Sequence, residues 1–348
     1  MKNFKKAISM VLLLTMLLLS ACSGSAQNGQ GNVTDSEGGA KTNATYNLKA
    51  ACSLADDHPY SSGLYKFGEL LEEKSDGRIT LDVFTAGQMG GERELVEGIQ
   101  LGTVDFAVTA TAPVANFASD LLVFDLPYLF ESTEHAYKVL DSEIGSDILG
   151  KLETSGIKGL GYWECGYINI SNSKKEIKVP EDVKGLNIRV MENPIYIEYF
   201  KELGANPVPM ALTELFSSLQ NGTVDGLTNP IPTIYSSKFH TVAKYTSRTH
   251  NIYIPAILLM NNKLFNDMPA DLQEIVVEAA NEAKDYQRKL FNELEVKQIE
   301  LMKQEGAEVI DVDMDLWKDE ELLNSVYSKF VPSQIPAETV ESIRAMAN

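Results

Sequence analysis

Apolar positions in the first third of the folded part of the chain change period in a regular order. Tyr46 to Ser53 reads as a strand. Tyr60 to Lys74 sets Leu64, Phe67, Leu70 and Leu71 on one helical face. Ile79-Thr-Leu-Asp-Val-Phe84 alternates as a half-buried strand does, and after Gly90-Gly91 a second helical pattern runs from about Glu92 to Leu101. Strand, helix, strand and helix in succession imply parallel pairing through helical crossovers, and so an α/β fold.

A short pattern then recurs. Ile99-Gln-Leu-Gly-Thr-Val-Asp105 returns as Leu219-Gln-Asn-Gly-Thr-Val-Asp225. In each copy a helix ends, a glycine supplies the left-handed residue that closes it, and Thr-Val opens a strand. Similar flanking patterns predict two similar α/β lobes, 46-166 plus 255-294 and 167-254 plus 295-348. Open α/β sheets bind ligands beyond the carboxyl ends of their strands, so the segments 109–113 and 228–230 are expected to line opposite walls of a shared cleft. Ile275, Val276, Ala279, Ala283, Tyr286, Leu290 and Leu294 mark a helix from about 271 to 305, long enough to reach across both lobes if it is continuous.

The extreme amino terminus is different. Lys2, Lys5 and Lys6 precede an apolar run from Ile8 to Leu19 that is too short to span a bilayer, which is the layout of a secretory signal peptide over 1-21. Its end, Leu-Leu-Ser-Ala-Cys22, looks like a bacterial lipobox, so Cys22 is the expected site of lipidation, anchoring the protein outside the cytoplasm. The Gly-, Ser-, Asn- and Gln-rich stretch that completes 22-45 cannot bury enough surface to fold and would act as a tether. The formal charge is −19, and the leader's lysines leave −22 for the remainder. Such an acidic balance argues against a nucleic-acid partner and against a basic membrane patch. Cys52 and Cys165 lie in apolar surroundings that suit inert buried thiols, although two positions alone do not decide whether they pair. No nucleophile elbow, His-Glu-x-x-His or phosphate-binding glycine loop is present, which excludes the common enzyme classes and leaves a binding protein without a cofactor.

Five blocks carry a resemblance: Gly87-Gln-Met-Gly-Gly-Glu-Arg-Glu-Leu95, Asp125-Leu-Pro-Tyr-Leu-Phe130, Pro180-Glu-Asp-Val-Lys-Gly-Leu-Asn-Ile-Arg-Val190, Leu203-Gly-Ala-Asn-Pro-Val-Pro-Met210, and Leu219 to Gly226 followed by Asn229-Pro230. In that order they resemble the solute-binding proteins of TRAP transporters, of the DctP type. The resemblance implies a two-lobed, periplasmic-binding-protein-like (Venus flytrap) fold that closes on an organic acid and delivers it to a membrane permease, acting as a monomer. It also implies that Arg189 is the carboxylate clamp, a role that a guanidinium fills through two parallel hydrogen bonds.

Asn229, with one donor and one acceptor, is the second candidate. His58 follows the first strand where the family has a cleft loop, though Pro59 makes it equally a helix-start residue. Trp163 and Tyr167 flank the expected crossover at Gly166 and could supply aromatic walls or core packing. Thr111 and Leu212 complete the candidate ligand-binding set. Asp225 is expected to fix its loop and Glu214 to cap a helix after Thr213. Many members of the family have a second arginine where this chain has Ile168, which favours a ligand with a single carboxylate. Two other readings keep the fold and change the cargo: a receptor for an ABC-type importer, and a metal receptor using His58 and His250.

Overall fold

The computed structural model describes residues 44–347, so the leader, Cys22 and most of the tether lie outside the described residues. The chain builds a first sheet from β1 (Tyr46–Ala51), β2 (Ile79–Phe84), β3 (Phe106–Ala110) and β4 (Ile157–Tyr167). It then crosses to a second sheet made of β5 (Asn169–Asn172), β6 (Asn187–Val190), β7 (Asn206–Pro209), β8 (Gly226–Asn229) and β9 (Tyr245–Arg248). β10 (Tyr253–Asn261) returns to the first sheet and β11 (Glu308–Asp311) to the second, giving the orders β2-β1-β3-β10-β4 and β11-β9-β5-β8-β6-β7. β1 pairs parallel with β2 and β3, as the alternating sequence pattern predicts, while β10 is antiparallel to both its neighbours.

In the first lobe, α1 (Pro59–Lys74) and α2 (Glu92–Leu101) join the opening strands. The short α3 (Thr111–Val114), then α4 (Thr133–Leu140) and α5 (Glu143–Gly150), lead into β4. In the second lobe the same duty falls to α6 (Pro194–Glu202), α7 (Leu212–Gln220) and α8 (Ile231–Ser236). After α9 (Asn262–Asp267), the 35-residue α10 (Ala270–Gln304) runs unbroken for about 52 Å. It packs on α1 and β4 at one end and on α8 and β11 at the other, so it spans both lobes. Ala279, Ala280 and Ala283 on its buried face let α1 approach closely. α11 (Glu320–Phe330) packs on α6, and α12 (Ala337–Ala345) reaches the first lobe, where His135 Nε2 lies 2.8 Å from the Ile343 carbonyl.

The recurring heptapeptide is one structural device used twice. Gly102 and Gly222 have φ of 72° and 71°, and each follows the end of its helix. Asp105 then donates its N–H to the Lys49 carbonyl (3.1 Å) and accepts from the Lys49 N–H through its carboxylate (2.8 Å). Asp225 does the same with Asn187, at 2.7 and 2.9 Å. Each aspartate therefore locks the incoming strand beside its parallel neighbour, β1 for β3 and β6 for β8, which delivers the strand ends to the cleft. This is the loop-fixing role expected of Asp225. Glu214 lies in the first turn of α7 as expected but makes no side-chain cap bond, and the helix starts at Leu212, before Thr213, with Ala211 as its N-cap.

Gly166 sits where β4 leaves the first sheet, with φ of 98°, and a Cβ there would lie 2.8 Å from the ring of Phe291 on α10. Backbone strain and overpacking act together at this position. Gly166→Ala is expected to lower stability by about 2 kcal/mol or more, read as a reduced urea midpoint. An unchanged midpoint would show that the crossover relaxes freely.

Candidate ligand-binding site

β6 lies inside the second sheet between β7 and β8, so a residue on it is covered on both sides. Ile188 and Val190 are fully buried in the core, and Arg189 between them is 3% exposed. A guanidinium so placed needs partners, because an unpaired buried charge is far costlier than an exposed one. Nε donates to the Met210 carbonyl (2.9 Å) and Nη1 to Asn229 Oδ1 (3.4 Å), while Nη2 donates to no acceptor among the described residues. Burial lowers the Arg189 pKa to about 10, opposed by the negative potential of Glu92, Glu192 and Tyr196. The group remains a cation at neutral pH. Because Asn229 Oδ1 is taken by the arginine, its Nδ2 is the part left to donate to a ligand.

The facing wall comes from the first lobe. Glu92, the first residue of α2, is half-buried, and its Oε1 accepts from the Ala110 N–H at 2.8 Å. Desolvation raises its pKa, against the opposing effects of that N–H and of Arg189. Between the walls is a narrow cavity of about 20 Å³, bounded by Tyr60, Glu92 and Cys165 on one side and by Arg189, Leu212, Asn229 and Thr233 on the other. A recess of about 10 Å³ shares Glu92, Arg189 and Leu212 and adds Glu192. One buried cation thus lies near two carboxylates in a narrow gap that the shut lobes leave little more than water-sized, with Leu54 and Met191 as apolar patches.

The structure brings together Arg189, Asn229 and Leu212 from the sequence-derived set and moves the others away. His58 is fully buried and caps α1, its Nδ1 accepting from the Tyr60 N–H (3.1 Å). That bond fixes the proton on Nε2, which donates to Thr233 Oγ1 (3.3 Å) in the opposite lobe. Trp163 is fully buried beneath Gly63 of α1, where a Cβ would lie 2.4 Å from its ring, so it belongs to the core rather than to the cleft. Tyr167 stacks on His250 (5.3 Å) and donates to the Phe130 carbonyl (3.3 Å), a packing role at the crossover. Thr111 and Thr109 are buried without hydroxyl partners and lie behind Ala110, which lines the cavity in their place. Ile168 is fully buried in the crossover, its N–H donating to the Ile252 carbonyl (2.9 Å). Cys52 and Cys165 are free and buried, and burial raises the Cys52 thiol to about 11. Among the described residues no three His, Cys, Asp or Glu side chains converge as a metal site.

Sequence reasoning missed Glu92, Tyr60, Cys165 and Thr233. Glu92 stood in a quoted block, yet a glutamate at a helix start reads as a favourable helix-dipole charge. Thr233 lies past the segment thought to form the wall.

The lobes are shut in this structure. Asn193 Nδ2 donates both to the Ala112 carbonyl (3.1 Å) and to Asp125 Oδ2 (2.8 Å), and Asn116 Nδ2 donates to the Glu192 carbonyl (2.8 Å). Gly87 approaches Thr213 so closely that a Cβ would lie 3.0 Å from its methyl group. Together with the His58–Thr233 bond, these contacts join the two strand-end faces around the cavity.

Residues 50–333 match the family model for bacterial extracellular solute-binding proteins, family 7. The 2,3-diketo-L-gulonate-binding periplasmic protein YiaO of Escherichia coli K12 is 38% identical over 267 residues, covering 76% of this chain and 81% of that one. The C4-dicarboxylate-binding periplasmic protein DctP of Rhodobacter capsulatus is 30% identical over 303 residues, covering 86% and 90%. A TRAP periplasmic solute-binding protein from Polaromonas sp. JS666, solved bound to D-erythronate, superposes with a TM-score of 0.84 at 36% identity, covering 86% of this chain and 98% of that one.

Burial depresses the His58 pKa from 6.5 to about 3. The unfolded chain therefore binds the extra proton first, and the stability associated with this neutral histidine is lost as pH falls from 6.5 toward 3. Replacing it by Asn, which can still cap the helix, should remove that loss. The stability gap between the parent and His58→Asn is expected to shift in favour of the variant by up to about 1.4 kcal/mol per pH unit below 6.5, measured by urea unfolding at stepped pH. A pH-independent gap would contradict the neutral assignment.

Proposed function

The chain belongs to the bacterial extracellular solute-binding proteins of family 7, and on that premise we propose that it captures a hydroxylated monocarboxylate of the sugar-acid type and hands it to a TRAP-type permease. The family places the protein outside the cytoplasm and makes it a binding protein rather than an enzyme. The observation that carries the ligand assignment is the state of Arg189: buried, cationic, held by Met210 and Asn229, and with Nη2 left over toward a cavity that contains no second buried cation among its lining residues. That edge can receive one carboxylate through charge-assisted hydrogen bonds.

The remaining wall chemistry favours hydroxyls over a second acid. Glu92 and Glu192 accept hydrogen bonds and would repel another carboxylate, whereas an alcohol donates to them. The side chain that replaces the family's second arginine, Ile168, is apolar and buried. The relatives that bind 2,3-diketo-L-gulonate and D-erythronate fit this reading, while the C4-dicarboxylate-binding relative marks the competing one.

Capture is by closure. The open lobes admit the acid, contacts from both walls favour the shut form, and the permease recognises that form. The proposed lobe limits, 46-166 plus 255-294 and 167-254 plus 295-348, lie near the crossings between β4 and β5 and between β9 and β10, with the last change of lobe inside α10. The C-terminal helices are counted with the second lobe, where α11 packs on α6. Lipidation at Cys22 would hold the receptor near the permease. If so, Cys22→Ser releases the protein from the membrane fraction and abolishes labelling by a fatty-acid probe, and continued labelling of that variant would refute the anchor.

Hydrogen bonds to a charged group contribute about 1.5 to 3 kcal/mol each, so Arg189→Ala is expected to weaken acid binding at least roughly tenfold in calorimetric titration. Sugar acids should bind the parent and C4-dicarboxylates should not. Tight succinate binding with no monocarboxylate response would reverse the assignment of ligand class.

A further inference from the structure

Tyr60 lies in the first turn of α1, is 1% exposed, and borders the cavity that holds Arg189 and Glu92. Its ring is propped edge-on against His58 at 4.8 Å, and the same histidine accepts the Tyr60 N–H, so the side chain is fixed from two directions. Its phenol oxygen has no hydrogen-bond partner among the described residues. The Cys165 thiol lies beside it without meeting hydrogen-bond geometry, and is a weak partner in any case. A buried phenol without a partner is unfavourable, and phenylalanine would fill the same volume without that cost. The hydroxyl is therefore turned toward something the cavity receives.

Thr233 supplies a second hydroxyl to the same cavity and is 2% exposed. Its polarity is set by His58. Since Nδ1 accepts from Tyr60, Nε2 carries the proton and donates to Thr233 Oγ1, which leaves the threonine O–H free to donate elsewhere. His58 thus orients one hydroxyl from each lobe while touching neither the arginine nor the glutamate.

We propose that Tyr60 and Thr233 form a hydroxyl-reading pair, positioned by His58, that recognises the alcohol groups of the ligand while Arg189 holds its carboxylate. This rests on the clamp reading of Arg189 and adds to it the residues that separate a polyhydroxy acid from a deoxygenated one. Each hydroxyl makes a neutral hydrogen bond, so its loss corresponds to roughly a fivefold to tenfold change in affinity.

The test titrates D-erythronate, D-galactonate and the monodeoxy derivatives of D-erythronate into the parent, Tyr60→Phe, Thr233→Val and Thr233→Ser. Tyr60→Phe and Thr233→Val should each bind the polyhydroxy acids roughly fivefold to tenfold more weakly. One deoxy derivative should bind parent and Tyr60→Phe equally, and Thr233→Ser should keep parental affinity. Ligand-free Tyr60→Phe should melt at the parental temperature or above it, because no protein hydrogen bond is lost. A lower melting temperature for that variant, equal loss of every acid, or no binding of either polyhydroxy acid by the parent would each overturn the proposal. Arg189→Ala separates the two readings: if it leaves affinity unchanged while Tyr60→Phe still discriminates, the clamp fails and the hydroxyl pair stands.

Discussion

A positive charge buried between two bodies that can separate is the constraint around which this molecule is arranged. Arg189 is on an inner strand of the second lobe, and the first of its electrostatic partners, Glu92, comes from the first lobe, while Glu192 and Tyr196 come from its own. When the lobes part, water can solvate the guanidinium; when they shut, the protein supplies one carbonyl, one amide oxygen and a distant carboxylate. On the proposed clamp reading, a ligand carboxylate on Nη2 completes what the shut form lacks. Binding and closure are then one equilibrium, because the charge is best compensated only when ligand and both lobes are present.

The scaffold meets that demand by repetition. Asp105 and Asp225 fix the start of β3 and β8 with the same pair of bonds, and each strand ends at the cavity, in Ala110 and Asn229 respectively. Two equivalent strand ends carry unlike chemistry: a small apolar residue beside Glu92 in one lobe, an amide beside Arg189 in the other. α10 ties the halves together along their length, and Phe291 against Gly166 leaves little free space at the crossover. His58 and Asn193 add polar contacts across the gap, each also capping the helix that follows it, α1 and α6. Local capping and interlobe contact thus use the same side chains.

Much of this was legible beforehand where the signal is local. The opening strands and helices, the glycine-closed junctions and the long helix follow from side-chain period and backbone conformation, and the helix found at Ala270–Gln304 differs from the 271–305 pattern by one residue at either end. Arg189 was singled out through the resemblance, since a lone arginine near a strand end reads by itself as a surface charge, and the structure buries it. Trp163 and Tyr167 show the opposite case. Aromatic residues near a crossover suit a wall and a core equally well, and the close approach of Gly63 to Trp163, residues far apart in the chain, decides for the core.

By itself, the sequence determined the class of fold and the duplicated junction, since each depends on neighbours within a turn or a strand; the clamp role proposed for Arg189 came from the resemblance of whole blocks. Only the tertiary structure decided which residues face the cavity. Glu92 reads as helix-start chemistry, His58 as a cap, and Tyr60 and Thr233 as ordinary members of amphipathic turns. They acquire a shared environment because two lobes, linked through two strand crossings and one long helix, close their strand ends on each other. That juxtaposition depends on packing between segments more than a hundred residues apart, and no local period encodes it.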